Sequence, residues 1–580
     1  MGTIVTLAHC QQLTLREIYA VANESAKVAL SPATSRIIDQ RRKETVGFVC
    51  AQNEPAYGFN RGFGHNVRLQ VDGDEKLLGQ LQTNLIRSHA MGLGDPTPKN
   101  IVRTTILLRA NSLARGFSGV RSLVVESLLA LLNADILPIV PRHGSVSASG
   151  DLAPMSHIAL ALLGEGEVFY KGKRCAAKQA LVKENIAPLA LEMKEGLALN
   201  NGAQYLTAIG IQTSDELMSL LRTATIATAL STQVMLGSST PFREDLHALR
   251  PHPGALTIAR WLRDLLKDSP IQEIHQDKEL DGEIQDPYNI RCAAQILGTC
   301  YDLITEAQKT FEIEANSVTD NPLVLPNEKG VFNQILSGGH FHGMPVAVKI
   351  YNLVQATAIM ARLSNMRCVR FVDEQRNKGL GPDLVWPETS QDKRSISSGM
   401  MACEYTSASL TNWIWGQTSP SHLFSISTDA GQEDHVSMGA PLAVRLLEML
   451  PHLGEILAIE LAFAHQASAI RKIQKHFPSK AQIPAGAQAS QDQFVQGIRK
   501  IIQKEEGRPV DIQVEIRKLY PWEEKDRVLS PAGEAVLQQI QKVFPAVFED
   551  RAMSTEIAGI ARLVSEGTIV STAKKFVPMD

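Results

Sequence analysis

A chain of 580 residues, 44% of them apolar, is long enough to bury an extensive core. Its 58 basic and 61 acidic residues are well mixed and leave a net charge of -3, which argues against nucleic acid or an anionic membrane as the main partner. The seven cysteines are odd in number and lack any C-x-x-C spacing, which argues against a disulfide framework or a structural zinc site and favours a reducing compartment.

The N-terminal "MGTIVTLAHCQQLTLREIYA" has neither the basic start nor the apolar stretch of a signal peptide. No charge-free apolar run reaches membrane-spanning length either, so a soluble, cytoplasmic protein without a membrane partner is expected. Up to about Asn200 the chain reads as shorter helices and loops. Within that part, "GEVFYKGKRCA" predicts a hairpin turning at Lys171-Gly172. Ala203 to Leu236 is then a long run of helix formers without proline, and "NIRCAAQILGTCYDLITEAQKTFEIEAN" and "MPVAVKIYNLVQATAIMARLSNMRC" read the same way. "GAPLAVRLLEMLPHLGEILAIELAFAHQASAIRKIQKHF" does too, with Pro451 expected to bend or break it. Each carries more apolar residues than one exposed face needs, which predicts a central bundle of long helices. "PSKAQIPAGAQASQ", Pro478 to Gln491, reads as a linker, after which helical spacing returns. The expected class is mainly α, in three parts: 1–200, carrying the active-site loops; 201–477, the long-helix bundle; and 478–580, a helical extension.

"GSVSASGDLAPMSH", Gly144 to His157, raises a chemical question. Taken alone, Ala-Ser-Gly is a turn. Ala148, Ser149 and Gly150 also leave little bulk to hinder a backbone amide from attacking the carbonyl two residues earlier. Loss of water then gives an imidazolone, and loss of the Ser149 hydroxyl as a second water leaves an exocyclic methylidene. The product is an electrophile that needs no metal and no added cofactor.

The whole segment resembles the prosthetic-group loop of the histidine and aromatic amino-acid ammonia-lyases, which carry methylidene-imidazolone. Four further segments follow the same family. "AYGFNRGFG", otherwise a glycine-rich turn with a packed aromatic, resembles the tyrosine loop and implies Tyr57 as catalytic base. "GLALNNGAQ", otherwise a helix cap, implies Asn201 beside the prosthetic group. "IQDPYNIRCAAQ" implies Gln285, Tyr288 and Arg291; if it is helical after Pro287, Tyr288 and Arg291 share a face. Arg291 suits a substrate carboxylate, or else a surface salt bridge. "GQEDHVSMG" carries Glu433 in the Gln-Glu-Asp-His form and has no metal-ligand spacing. "SVTDNPLV" and "SPAGEAV" add to the likeness, whereas Pro478 to Asp526 matches little.

The resemblance implies an ammonia-lyase/fumarase-like fold and a homotetramer with shared active sites. It implies loss of ammonia from a small amino-acid substrate, with Tyr57 removing the β proton, and catalytic roles for Asn201, Tyr288 and Glu433. It is closest to the histidine-type members, because "LIRSHAMGLG" carries Ser88-His89 where aromatic lyases present Phe-Leu or His-Leu. His89 and Glu433 would satisfy an imidazole, which points to histidine and trans-urocanate. Gln285, Arg291, Phe341 and Arg61 are the other implied substrate-binding residues. Three departures stand out: Arg61 replaces the usual threonine, His340 in "GGHFHG" the usual asparagine, and "LTNWIW" an expected polar segment. Arg61 and His340 would add an anion contact, shift Tyr57 or repack the entrance. An ammonia-lyase or 2,3-aminomutase acting on another aromatic or polar amino acid is the nearest alternative, followed by a silent helical scaffold. A serine hydrolase fits poorly, because "GSVSA" only partly matches G-x-S-x-G and lacks the strand-turn-helix context.

Overall fold

Helix dominates the described chain, as composition and spacing predict. The computed structural model describes residues 4–52, 56–62, 75–274, 285–386, 395–476 and 527–580. The expected linker, Pro478–Gln491, lies outside them. The chain divides into two units. The first comprises Met1–Asp215, Thr305–Asn352 and Ser419–Leu447; the second comprises Glu216–Ile304, Leu353–Thr418 and Glu448–Asp580.

The four long helical stretches are present as Gln204–Val234, Ala293–Ala315, Met344–Val372 and Gly439–His476, of 31, 23, 29 and 38 residues. Their alanine, leucine and straight-chain residues lose little rotamer freedom in a helix, so such runs propagate once nucleated. Two details refine the sequence expectation. A short helix, Tyr288–Arg291, is separated from Ala293–Ala315 by a turn at Cys292. The last long helix continues across Pro451 instead of breaking. Proline removes one N–H donor, and the residue whose carbonyl loses its helical partner, Leu447, is partly exposed.

Among the described residues, strands are few and belong to the first unit. The predicted hairpin pairs Glu167–Tyr170 with Lys173–Ala176 around Lys171-Gly172, and Ile136–Pro138 adds a third antiparallel strand. Lys171 has φ +47° and Gly172 +82°, the left-handed pair that a two-residue hairpin turn requires.

In the second unit, the helices are pinned by a wholly buried ion pair. Arg367 Nε lies 2.5 Å from Glu460 Oε1, with neither side chain exposed. Ser231 and Ser364 donate to the two carboxylate oxygens at 2.7 and 2.6 Å, and Arg367 also donates to the Asn289 carbonyl at 3.2 Å. Met344–Val372 is long and apolar enough to cross a membrane. The buried Arg367 within it, paired to Glu460, marks a core helix instead.

Removing one partner leaves the other buried and uncompensated. Glu460→Gln is therefore expected to lower unfolding free energy by about 3–5 kcal/mol, whereas joint Arg367→Met and Glu460→Leu should recover much of that loss. Denaturant titration of the three proteins tests this. Equal loss in the single and double variants would mean that packing, not charge, sets the cost.

Candidate active site

Three helices of the first unit bring their ends to one cavity. Glu75–His89 packs against Leu152–Leu162 and Glu195–Asn200, which also pack on each other. His89 ends the first, Asp151 precedes the second, and Asn201 follows the third. Pro154 falls in the first turn of Leu152–Leu162, where a missing N–H costs nothing. Lys194, with φ +74°, turns the chain into Glu195–Asn200.

The cavity measures about 710 Å³, and Tyr57, His89, Ala148, Ser149, Asn201, Phe341 and Glu433 all line it. Gly150 sits behind the wall. Its φ is +78°, and a Cβ there would collide with the backbone of Gly202, so only glycine permits this approach. Arg61 belongs to the same unit but is not among the lining residues. Gln285, Tyr288 and Arg291 belong to the second unit and do not line the cavity. Tyr288 and Arg291 do share a helical face: the Arg291 guanidinium lies over the Tyr288 ring, 5.0 Å from its centroid.

Hydrogen bonds fix the tripeptide from both sides. Asn201 Nδ2 donates to the Ser149 carbonyl at 3.0 Å, and the Ser149 hydroxyl donates to Glu433 Oε1. Ser437 donates to the Ser147 carbonyl at 2.8 Å. Asp151 N donates to the Gly202 carbonyl at 2.8 Å, and its carboxylate accepts from Ser145 Oγ and Leu206 N at 2.7 and 2.8 Å. His89 Nδ1 lies 2.9 Å from the Leu85 carbonyl, which can only accept. In the neutral ring Nδ1 therefore carries the proton and Nε2 is left as an acceptor.

Beneath the wall, Asp320 accepts from Lys194 Nζ at 2.8 Å and lies 3.9 Å from Arg109, all three side chains fully buried. Burial lowers the Lys194 ammonium pKa, with Asp320 opposing that shift. Asp320 Oδ1 also accepts from Asn321 N at 2.7 Å, and Asn321 lines the cavity.

Sequence reasoning missed several residues of the wall, including Asn200, Asn321, Ser337, His342 and Gln432. Asn321 lies inside "SVTDNPLV" and Gln432 beside Glu433, so both were adjacent to recognised segments. Asn200 precedes Asn201, and its Nδ2 donates to Ser156 Oγ at 3.2 Å while its Oδ1 is buried without a partner. Nothing local in the sequence distinguishes which of the two asparagines serves the tripeptide.

The family described as aromatic amino acid lyase matches residues 13–496. A histidine ammonia-lyase from Burkholderia pseudomallei (strain 668) is 41% identical over 460 residues, covering 79% of this chain and 87% of that protein. Tyrosine aminomutase from Streptomyces globisporus superposes with a TM-score of 0.81 at 27% identity over 99% of both chains. Histidine ammonia-lyase from Trypanosoma cruzi gives 0.79 at 29% identity, over 99% of this chain and 96% of that one.

Burial raises the Asp151 carboxyl from 3.8 to about 6, despite the donors from Leu206 and Ser145 that favour the ionised form. Its folded value thus exceeds its unfolded one. The stability linked to it is fully present below about pH 4 and is lost as pH rises through about 6. Relative to Asp151→Asn, wild-type stability is expected to fall across that window when unfolding is measured at stepped pH. A difference that rises with pH would mean that the donors outweigh burial.

Proposed function

The chain belongs to the aromatic amino acid lyase family, and from that premise we propose that it removes ammonia from L-histidine to give trans-urocanate, as a carbon–nitrogen lyase. The observation that carries this reading is the presence of His89 and Glu433 on the wall of one cavity with Ser149. In this reading both accept from the substrate: His89 through Nε2, and Glu433 through the Oε1 that the Ser149 hydroxyl gives up on cyclisation. An imidazole, protonated on one or both nitrogens, offers donors to them. A phenyl ring offers none.

We propose further that Ala148, Ser149 and Gly150 cyclise to methylidene-imidazolone, and the residues present fit that group. The third position admits no side chain, and Asn201 already donates to the central carbonyl. When formed, the group supplies an electrophile for the substrate amine. Tyr57 then takes the proton from the β carbon, a general-base role worth roughly 10²–10⁴-fold. Phe341 closes an apolar side of the site. The reading includes a homotetramer with shared sites, in which Gln285, Tyr288 and Arg291 of another copy complete the cavity. Arg291 pairs there with the substrate carboxylate. Arg61, on the Tyr57 loop, is assigned to substrate binding. A cytoplasmic location fits seven cysteines that are all free.

Purified protein given L-histidine is expected to release urocanate and ammonia in equal amounts. His89→Ala should lower kcat/KM for histidine by about 10- to 100-fold, the effect of one buried hydrogen bond to a polar group. Appearance of a β-amino acid instead would identify a 2,3-aminomutase, the reading that the likeness to tyrosine aminomutase favours. Turnover of another amino acid with histidine ignored would overturn the substrate and leave the lyase.

The intact chain is expected to weigh two waters less than its sequence, with the deficit in the peptide that contains Ser149. Ser149→Ala, which has no hydroxyl to lose, should remain folded, weigh at most one water less than its own sequence and lose most activity. An unmodified peptide from fully active protein would rule out cyclisation.

A further inference from the structure

Glu433 is held more firmly than a substrate ligand alone requires. Its backbone exchanges hydrogen bonds with Thr428 at 3.0 and 3.3 Å, and Thr428 Oγ1 donates to Glu433 Oε2 at 2.5 Å. Between them the chain makes a left-handed turn, with φ of +47° at Asp429, +52° at Ala430 and +89° at Gly431. Two of those residues carry a Cβ and are strained in that region, so the surrounding contacts must hold them there. The other oxygen, Oε1, accepts the Ser149 hydroxyl. A continuous path therefore runs from Thr428 through one carboxyl to Ser149.

We infer that Thr428 is a positioning residue for the dehydration of Ser149, acting through Glu433. The inference rests on the cyclised group proposed above. Losing the hydroxyl breaks the Ser149 Cα–H and Cβ–Oγ bonds and forms Cα=Cβ from the electron pair of the C–H bond. Oγ departs with the pair of the C–O bond, its own hydrogen and one further proton. Glu433 Oε1, in hydrogen-bond contact with Oγ, relays that proton to it. The proton lost from Cα reaches Glu433 through solvent before it passes to Oγ, so Glu433 ends in the state in which it began and the net change is one water. Charge gathers on the Ser149 carbonyl oxygen as Cα loses its proton, and Asn201 Nδ2 already donates there. Thr428 occupies Oε2, leaving Oε1 as the oxygen that serves Oγ. Once Oγ is gone, the same Oε1 is released to the cavity as an acceptor for substrate.

The test uses the full chain made by cell-free synthesis, sampled over time, with the Ser149 peptide weighed after proteolysis. Thr428→Val keeps the shape and removes the hydroxyl. It is expected to slow loss of the Ser149 hydroxyl by roughly ten-fold or more, the effect of losing one hydrogen bond to a charged group. A peptide short of one water, not two, should accumulate. Thr428→Ser is expected to restore the rate, which a purely structural role for the threonine methyl would not allow. Glu433→Gln, which cannot return a proton, is expected to stall at the same peptide and serves if Thr428→Val does not fold. Dehydration at the wild-type rate in either variant overturns the inference. Absence of any mass loss in wild type instead overturns the cyclised group itself.

Discussion

The site depends on two backbones meeting at glycine. Gly150 and Gly202 form a parallel bridge, and a side chain on either would strike the other strand or the groups behind it. For Gly202 those groups are Gln204, the Thr319 carbonyl and Arg109. The contact sets the distance between the tripeptide and the Glu195–Asn200 helix, and hence lets Asn201 reach the Ser149 carbonyl. It also brings Asp151 within reach of Leu206, so the helix Leu152–Leu162 and the helix Gln204–Val234 start from a common point.

Such closeness buries charge, and the charge is compensated locally. Arg109 donates to the Ala198 carbonyl, and its guanidinium and the Lys194 ammonium share the Asp320 carboxylate. A buried ion is tolerated only when paired and hydrogen-bonded. Here one carboxylate answers two cations and also the Asn321 N–H. The cluster thereby ties the helix carrying Asn201 to the loop carrying Asn321. Polar groups that look structural in the sequence thus set the geometry of groups that face the cavity.

The long helices were legible in the sequence because their signal is local: sustained helix-forming residues, few prolines and an apolar surplus. The hairpin was legible for the same reason, from Lys171-Gly172. Pro451 was expected to bend or break its helix, and the helix runs on through it without a break. Seven predicted side chains and backbones, Tyr57 to Glu433, meet in one cavity because each sits in a segment with its own signature. Thr428 had no such signature. Its importance comes from a contact five residues on, created by a left-handed turn that the residues Asp-Ala-Gly only weakly suggest. Tyr288 and Arg291 show the converse: their shared helical face followed from spacing, but their membership of the second unit did not.

Under the proposed function, selectivity reduces to how many fixed acceptors a substrate ring must answer. His89 is committed to one tautomer by the Leu85 carbonyl, so it cannot rotate its chemistry to suit a different ring. Glu433 is committed by Thr428 and cannot withdraw. Two acceptors left unanswered inside a site cost about 1–3 kcal/mol each, or roughly 30- to 10⁴-fold together. That penalty falls on a phenyl ring and not on an imidazole. Phe341 contributes apolar contact that both rings enjoy equally, and equal contact cannot discriminate. Under the proposed reading, a preference for histidine would rest on the rigidity of the two acceptors more than on their presence, and that rigidity comes from the Leu85 carbonyl and from Thr428.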